Sequence, residues 1–416
     1  MILPRLAYES LLSRKFTCGL TVFSIAFSVL LLVGVDRIRQ GTQVGFEGTL
    51  SQTDLVVGAR GGSLPLLLYA VFHIGVQTND ISWDSYQHFA RHPAVLWTIP
   101  LSMGDSHRGF RVVATDDNFY EHYRYRGNQS LQLAAGVRPE GIFDAVLGSE
   151  AAAELHYHLG QKMVLSHGLE GSFLKHTANP YTVVGILART ATPVDRAIYI
   201  TLWGDEAMHL GWEHGAPPLE AIPAAQIHKA DLHIGTVSAF LLRTKSRMST
   251  LFLEREINTY KPEPLTAIIP ALTLEDLWGV LSAADIALSL VSGAVLVVGL
   301  MVMLTALYTA LNERRREIAV LRTLGLRTRQ IIALFVLEST LISAAGAALG
   351  VAAAYGLLLA VRTPVENHYG IPLAMVGISA RIVYYMAAVV GAGALLGLIP
   401  AFRAYRNALV DGLNAG

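Results

Sequence analysis

Residues 312–331, NERRREIAVLRTLGLRTRQI, form a densely charged segment between two long apolar runs, 286–308 and 331–361. Six arginines and two glutamates surround apolar residues at roughly helical spacing, which predicts an amphipathic helix at a membrane surface. Clustered cations are disfavoured on the translocated side of a membrane, so the segment is expected in the cytoplasm. A basic loop that only fixes membrane topology is the alternative interpretation.

The hydrophobic residues of this 416-residue chain make up 52% of it and are concentrated in four runs. These runs lie within residues 16–36, 285–310, 331–361 and 382–400. Each is long enough to cross about 30 Å of hydrocarbon as a helix. A cleaved signal peptide is the alternative for the first run, but Asp36 and Arg37 follow it where a small-residue cleavage site would stand. The sequence therefore predicts an α-helical membrane protein with four transmembrane helices.

The charged residues are distributed unevenly between the segments that separate these runs. Residues 36–283 carry 19 Lys/Arg and 25 Asp/Glu. Residues 1–15, 312–330 and 401–416 together carry 11 Lys/Arg and 4 Asp/Glu. This asymmetry predicts that both termini and the segment 311–330 are cytoplasmic, and that 37–284 and the loop 362–381 face outward. It is a topology signal and gives no indication of a nucleic-acid partner.

The region 37–284 reads as short strands alternating with short helices, which predicts a large α/β (α+β) domain inserted between the first two spans. We expect two lobes, followed by a helical stalk over 272–283 that leads into the second span. Cys18 is the only cysteine, so no disulfide can form within the chain.

No catalytic motif is present in the sequence. There is no G-x-x-x-x-G-K-[ST] loop, and there is no G-x-S-x-G, H-E-x-x-H or C-x-x-C pattern. We therefore expect no enzyme active site and no cofactor on this chain, and any ATP chemistry is expected in a partner subunit.

The charged segment carries a family resemblance. The stretch from Glu313 to Gly325, ERRREIAVLRTLG, looks like the signature of FtsX-like/MacB-type ABC transporter permeases. Shorter motifs, VATD at 113–116, LGSE at 147–150 and VVGI at 183–186, followed by Asp195, resemble that family's periplasmic core domain. The resemblance implies that a coupling helix contacts the ATPase. The residues it implies for that contact are Glu313, Arg314, Arg316, Glu317, Leu321, Arg322 and Gly325. Gly325 is also expected to end the helix, where a left-handed residue is needed.

The resemblance also implies partners and a location. The implied partners are a second permease copy and two copies of an ABC ATPase with its ATP and Mg²⁺. The implied location is the lipid bilayer of a bacterial inner membrane. A periplasmic adaptor, lipoprotein or binding protein is a further candidate partner. The implied function is mechanotransmission, in which ATP hydrolysis moves the periplasmic domain and a substrate is exported or extracted. A signal transducer of FtsX type that does not transport, a component of a zinc-linked transport system and a small-solute importer are alternatives.

Two features inside the apolar runs are candidates for function or packing. Gly346 and Gly350 in the third run, and Gly393 and Gly397 in the fourth, have the small-xxx-small spacing that permits close helix contact. Glu338 is the one charged residue well inside a run. Intramembrane charge suggests a functional role, while pairing with an arginine of the charged segment is the structural alternative.

Histidine is concentrated in one part of the chain. Of 14 histidines, 13 lie between His73 and His233. His88 and His92 are four residues apart on a helix predicted over 83–92, so they would share a face and could hold a zinc ion with further ligands. The alternative is that these histidines have the ordinary structural uses of any soluble domain.

Overall fold

The structure, a computed structural model, describes residues 9, 11–76, 79–168, 179–211, 222–313, 328–369 and 377–413. The chain divides into two compact units. We call the first the helical unit, comprising Met1–Gly41, Leu281–Pro364 and Ala374–Gly416. The second, the α/β unit, comprises Thr42–Val280 and Val365–Leu373.

The helices and strands of the described residues follow in this order along the chain. The first half contains α1 (Lys15–Thr49), β1 (Leu55–Ala59), α2 (Ser63–Phe72), β2 (Ile81–Ser82), α3 (Trp83–Ala90), β3 (Val95–Leu101), β4 (Asp105–His107), β5 (Phe110–Thr115), α4 (Asp117–His122), β6 (Arg124–Tyr125), β7 (Gln129–Ser130), β8 (Leu133–Gly136), β9 (Asp144–Leu147) and α5 (Ser149–Leu155). The second half contains β10 (Lys162–Met163), β11 (Ser166–His167), β12 (Tyr181–Leu187), β13 (Ala197–Thr201), α6 (Leu202–His209), β14 (Thr236–Val237), β15 (Ala239–Thr244), α7 (Arg247–Asn258), β16 (Leu265–Ile268), α8 (Pro270–Glu313), α9 (Thr328–Tyr369) and α10 (Ala380–Leu413).

Four of these helices, α1, α8, α9 and α10, are long and apolar enough to cross a membrane. Their most apolar windows have mean hydropathies of 2.4, 2.5, 2.0 and 2.1, which no ordinary surface helix reaches. In the helical unit they pack around a common apolar core. That core includes Ile25, Val29, Val33, Met303, Leu307, Ile342, Ala347, Ala354, Ile382 and Val389. The prediction of four apolar helices long enough to span a membrane is confirmed.

The helices are longer than the apolar runs that predicted them. α1 continues beyond residue 36 to Thr49, and the predicted stalk is the first part of α8. α9 continues to Tyr369, into the segment 362–381 that was expected to be a loop. α10 likewise continues from the fourth run into the tail, as far as Leu413. Hydropathy detects the part of a helix that lipid can cover, whereas backbone hydrogen bonding carries the helix past that part.

The described part of the α/β unit contains an eight-stranded sheet, a four-stranded sheet and two two-stranded sheets, β14-β2 and β6-β7. The four-stranded sheet is antiparallel, in the order β16-β1-β15-β3. At its centre Val57 of β1 lies opposite Phe240 of β15 and Ala267 of β16, and all three side chains are buried. Strand β1 reads LVVGA, and its run of buried residues is typical of a strand covered on both faces.

The larger sheet has eight strands, in the order β10-β12-β9-β13-β5-β4-β11, with β8 also paired to β12. It is mixed, because β12 pairs parallel with β9 and β13 pairs parallel with β5, while the other pairs are antiparallel. Tyr181 and Tyr199 are among its fully buried side chains. The prediction of a large α/β domain is thus confirmed, and its division into two lobes stays a prediction.

Candidate functional site in the helix bundle

The predicted coupling segment lies between α8 and α9. α8 ends at Glu313, and α9 begins at Thr328. The other residues implied for ATPase contact lie outside the described residues: Arg314, Arg316, Glu317, Leu321, Arg322 and Gly325. The structure therefore fixes the two helices that the segment joins, and the amphipathic helix itself stays a prediction.

Two glycines of α9 lie against α1. A Cβ atom added at Gly346 would come within 2.7 Å of Ile25 Cγ2, and one at Gly350 would come within 2.6 Å of the carbonyl oxygen of Ala26. Non-bonded atoms do not approach so closely, so a larger residue at either position would force the two helices apart. The spacing of four residues places both glycines on one face of α9. Their lack of a side chain allows the two helices to approach closely, as small-xxx-small spacing permits.

Two glycines of α10 lie against the same face of α9, nearer its start. A Cβ atom at Gly393 would come within 2.7 Å of Ser343 Cβ, and one at Gly397 would come within 2.9 Å of Ser339 Cβ. Both serines are fully buried. α9 therefore packs against α1 through its own two glycines, and its two serines pack against the glycines of α10. It is the helix that these two contacts share.

Glu338 lies beside this contact and is only 4% exposed. It directly precedes Ser339, whose side chain meets Gly397. Most of the arginines that could pair with it belong to the segment outside the described residues. The pairing of Glu338 with the charged segment stays a prediction.

A buried ionic cluster joins α1 to the start of α10. Asp36 Oδ2 lies 2.7 Å from Arg37 Nη2, and Asp36 Oδ1 lies 2.7 Å from Arg381 Nη1. Arg37 also donates to Ser379 Oγ at 2.9 Å and to the carbonyl oxygen of Gly377 at 3.1 Å. Asp36 and Arg37 are 7% and 4% exposed, whereas the side chain of Arg381 is 49% exposed. The Asp36–Arg37 pair is therefore shielded from solvent, and losing one of these two residues would leave a buried charge unpaired.

A second ion pair and a hydroxyl contact join α1 to α8. Arg39 Nε lies 2.9 Å from Asp285 Oδ2, and Ser28 Oγ donates to the carbonyl oxygen of Val295 at 3.1 Å. The sequence contained a signal for these ionic contacts, because Asp36, Arg37 and Arg39 follow directly after the first apolar run. What it could not supply was the partner, since Arg381 is separated from Asp36 by almost the whole chain.

The buried hydroxyl groups of the bundle bond mainly to their own helices. Thr21 donates to the carbonyl oxygen of Thr17 at 2.8 Å, Ser292 to that of Leu288 at 2.8 Å, and Ser343 to that of Ser339 at 2.8 Å. Hydroxyls satisfied within one helix do not need water or a polar solute beside them. The described part of the bundle is accordingly a packed apolar core.

His88 and His92 do not share a helix face. α3 ends at Ala90, because Pro93 disfavours helical backbone at the residue before it, and His92 lies beyond the end. The imidazole of His88 stacks on Tyr260, with ring centroids 5.3 Å apart. His92 Nδ1 accepts a hydrogen bond from the backbone N–H of Ala94 at 3.2 Å, and its Nε2 lies 3.6 Å from Glu256 Oε2. The prediction that one helix face presents both rings is wrong.

A cleft of about 610 Å³ opens in the α/β unit. Its lining combines aromatic and charged side chains, including Trp83, Asp116, Glu121, Arg138, Trp203 and Lys229. Lys229 Nζ lies 5.2 Å from the centre of the Trp203 indole, a cation–π contact. Burial raises the pKa of Asp116 to about 7, against the opposing effect of the backbone N–H of Asn118, which donates to it.

Comparison with known proteins assigns the chain to a family. Residues 18–225 match the MacB-like periplasmic core domain, and residues 289–409 match the FtsX-like permease C-terminal domain. The first match alone covers half of the chain. The chain belongs to the MacB-like ABC permease family. The resemblance seen in the charged segment and in the core-domain motifs is thereby confirmed.

Individual relatives of this MacB-like permease are more distant. Over 125 residues the chain is 33% identical to the macrolide export ATP-binding/permease protein MacB of Shewanella sp. (strain ANA-3), a match covering 28% of this chain and 17% of that protein. The matched region thus spans less than a fifth of that relative's length. The periplasmic region of MacB from Actinobacillus actinomycetemcomitans has 9% identity and a TM-score of 0.34, covering 56% of this chain and 94% of that one. The extracellular domain of the noncanonic ABC-type transporter YknZ from Gram-positive bacteria has 10% identity and a TM-score of 0.31, covering 52% and 99%.

Proposed function

We propose that this MacB-like permease couples ATP hydrolysis by a separate ABC ATPase subunit to a conformational change of its α/β unit, on the periplasmic side of a bacterial inner membrane. The observation that carries the proposal is the presence, in one chain, of a MacB-like periplasmic core domain and an FtsX-like permease domain. The bundle supports it as well, since the described spans form a packed apolar core. Work done on the outer side of the membrane does not need a hydrophilic channel between the helices.

The charged segment between α8 and α9 is the proposed receiver of the mechanical signal. It offers Arg316 and Glu317 to a cytoplasmic partner, and it is continuous in sequence with both helices. α8 contributes residues to both the helical unit and the α/β unit. In the α/β unit it contacts α1 through Trp278 and Phe46, with ring centroids 5.8 Å apart. α8 is therefore the proposed transmitting element.

The assembly that fits this role contains two permease copies and two ATPase copies, with ATP and Mg²⁺ bound by the ATPase. A periplasmic adaptor, lipoprotein or binding protein is the proposed outer partner. The MacB of Shewanella is described as a macrolide exporter, which makes export or extraction of an amphiphilic substrate the first activity to test.

A second candidate is a transducer of FtsX type, in which the same motion activates a periplasmic protein and nothing is transported. The packed apolar core of the described bundle fits the transducer as well as it fits the exporter, because neither activity requires a path through the membrane. A transport assay and an assay of partner activation on the same reconstituted complex separate the two.

The coupling role is tested by reversing one charge. Glu317→Lys places a cation where the ATPase contact is proposed to need an anion. We expect the variant to insert and bind lipid normally, while stimulation of the partner's ATPase activity falls about tenfold or more, the equivalent of about 1.4 kcal/mol. Asp411→Lys is the matched control, since it makes the same charge change in the tail predicted to lie on the same side of the membrane.

The measurement is ATPase activity in nanodiscs with and without the permease, alongside co-purification of the two subunits. Wild-type stimulation in the Glu317→Lys variant would refute the coupling role. Equal losses in the Glu317 and Asp411 variants would point to a general effect of charge and would refute it as well.

A further inference from the structure

Three side chains from separate elements converge at one edge of the eight-stranded sheet. Asp105 lies on β4, His167 lies on β11, and His209 is the last residue of α6. β11 pairs antiparallel with β4 in a register that places His167 directly opposite Asp105. A carboxylate oxygen of Asp105 and one ring nitrogen of each histidine all lie within 4.8 Å of one another. Hydrogen bonding of the sheet therefore assembles this cluster.

The carboxylate of Asp105 is deeply buried and lies close to two histidine side chains. Its side chain is 2% exposed. Neither carboxylate oxygen accepts a hydrogen bond of acceptable geometry from the residues that the structure describes. A buried charge is costly unless it is paired, hydrogen-bonded or bound to a metal ion. The groups facing it are the two imidazoles, with His167 Nδ1 at 2.9 Å from Oδ1 and His209 Nε2 at 3.6 Å from Oδ2.

His209 is held in the orientation that metal-binding histidines adopt. Its Nδ1 lies 2.8 Å from the carbonyl oxygen of Asp205, an arrangement in which Nδ1–H donates to that oxygen. A histidine that donates from one ring nitrogen to a carbonyl oxygen presents the lone pair of its other nitrogen for coordination. In this case the other nitrogen is Nε2, which is the atom that faces Asp105.

The three ligand atoms are close enough together for a small divalent cation. Ligand atoms bound at about 2.0–2.1 Å in tetrahedral geometry lie about 3.3 Å from one another. Asp105 Oδ1 lies 2.9 Å from His167 Nδ1 and Asp105 Oδ2 lies 3.6 Å from His209 Nε2, so each histidine faces a different carboxylate oxygen at a distance near that value. His167 and His209 are 48% and 31% exposed, so an ion can enter from solvent and keep a water molecule as a further ligand.

We propose that Asp105, His167 and His209 form a binding site for a first-row divalent transition-metal ion, with Zn²⁺ as its representative. Two imidazoles and one carboxylate are a set that zinc accepts as three protein ligands with one open position. β11 is the last strand of its sheet and pairs through only two residues. A metal ion would link this edge strand to β4 and to the end of α6, stabilising the edge of the α/β unit.

The competing interpretation is an ion pair in which protons occupy the imidazoles and no metal binds. Zinc titration of the full-length chain in detergent, followed by isothermal calorimetry and by thermal unfolding, separates the two. His167→Ala and His209→Ala each remove one proposed ligand. Because His167 is 48% exposed, its replacement is not expected to unfold the protein, so weaker zinc binding in that variant reports the loss of a ligand. The matched control is the double variant His88→Ala/His92→Ala, which removes two other histidines of the same unit.

We expect one Zn²⁺ ion per chain with a Kd below about 10 μM, and an unfolding temperature that rises with zinc. Each of the two ligand variants should bind at least about tenfold more weakly and lose the thermal shift, whereas the His88/His92 control should keep both. Absence of binding at about 10 μM, weakening in only one of the two ligand variants, or loss confined to the control would each overturn the site. Unchanged binding in both ligand variants would overturn it as well, leaving the ion pair as the role of the cluster.

Discussion

At the scale of single residues, two buried aspartates of the α/β unit have opposite surroundings. Asp195 is fully buried, and its carboxylate accepts hydrogen bonds from the backbone N–H groups of Thr190 and Ala191 and from the Thr190 hydroxyl. Burial raises its pKa, while these donors oppose the rise. Asp105 is as deeply buried but faces two imidazoles. Hydrogen-bond donors stabilise the carboxylate of Asp195, whereas the proposed metal ion would stabilise that of Asp105.

Asp116 gives a stability effect whose sign can be predicted. Burial raises the pKa of its carboxyl group to about 7 in the folded state, while the unfolded value is about 3.9. The folded state therefore binds more protons between about pH 4 and pH 7, and the free energy of unfolding falls as the pH rises through this window. Asp116→Asn abolishes this titration but retains a side-chain oxygen for the N-cap of α4. We expect the decrease in the free energy of unfolding across this window to be about 1–3 kcal/mol smaller in the variant than in wild type.

The measurement is the unfolding temperature at pH 5 and at pH 8. Wild type should lose more stability between these two values than the Asp116→Asn variant. Asp117→Asn is the control, since it removes a neighbouring carboxylate that is exposed. If wild type and the Asp116 variant show the same difference, the carboxyl group does not titrate in this window.

At the scale of elements, α9 makes close contacts with both α1 and α10. Its 42 residues correspond to about 63 Å at 1.5 Å per residue, well beyond the hydrocarbon thickness of about 30 Å. It brings Gly346 and Gly350 to α1, and it brings Ser339 and Ser343 to the glycines of α10. The sequence predicted that these glycines would be packing positions. It could not say which helix each pair would meet, because that depends on how the helices are arranged.

The contact between α9 and α10 can be tested with two glycines of one helix. A valine at Gly393 would meet the side chain of Ser343, whereas nothing lies within 4 Å of the corresponding position at Gly391. We expect Gly393→Val to destabilise the bundle by about 1–3 kcal/mol through overpacking, seen as a lower unfolding temperature in detergent and lower yield in the membrane. Gly391→Val carries the same change in residue type, so it should stay within about 0.5 kcal/mol of wild type. Equal effects of the two substitutions would show that helix propensity, and not the contact, is responsible.

The residues of the proposed metal site show what sequence patterns cannot supply. Asp105, His167 and His209 are widely separated in the chain, and no motif spacing connects them. Only the register of β11 on β4, together with the end point of α6, brings them together. The pair singled out from spacing, His88 and His92, failed for a local reason, since the helix ended at Ala90. Long apolar runs, in contrast, predicted all four spans because each run carries its signal in consecutive residues.

At the scale of the whole molecule, the charge distribution and the hydropathy of the helices agree. The chain is neutral overall, with 32 basic and 32 acidic residues, yet its basic excess lies in the segments at one side of the four spans. An even number of spans places both termini on the same side of the membrane. The positive-inside rule assigns that side to the cytoplasm, so the α/β unit is expected in the periplasm.

This topology predicts which positions an impermeant thiol reagent can reach in intact cells. In a Cys18→Ala background, a cysteine replacing Asn128, which is exposed in the α/β unit, should react once the outer membrane is permeable to the reagent. A cysteine replacing Thr328, at the start of α9, should react only after the inner membrane is opened. The comparison between intact and lysed cells serves as the internal control for reactivity, because each cysteine is tested in both. Labelling of position 328 in intact cells, or protection of position 128, would invert the orientation and with it the side on which an ATPase could meet the charged segment.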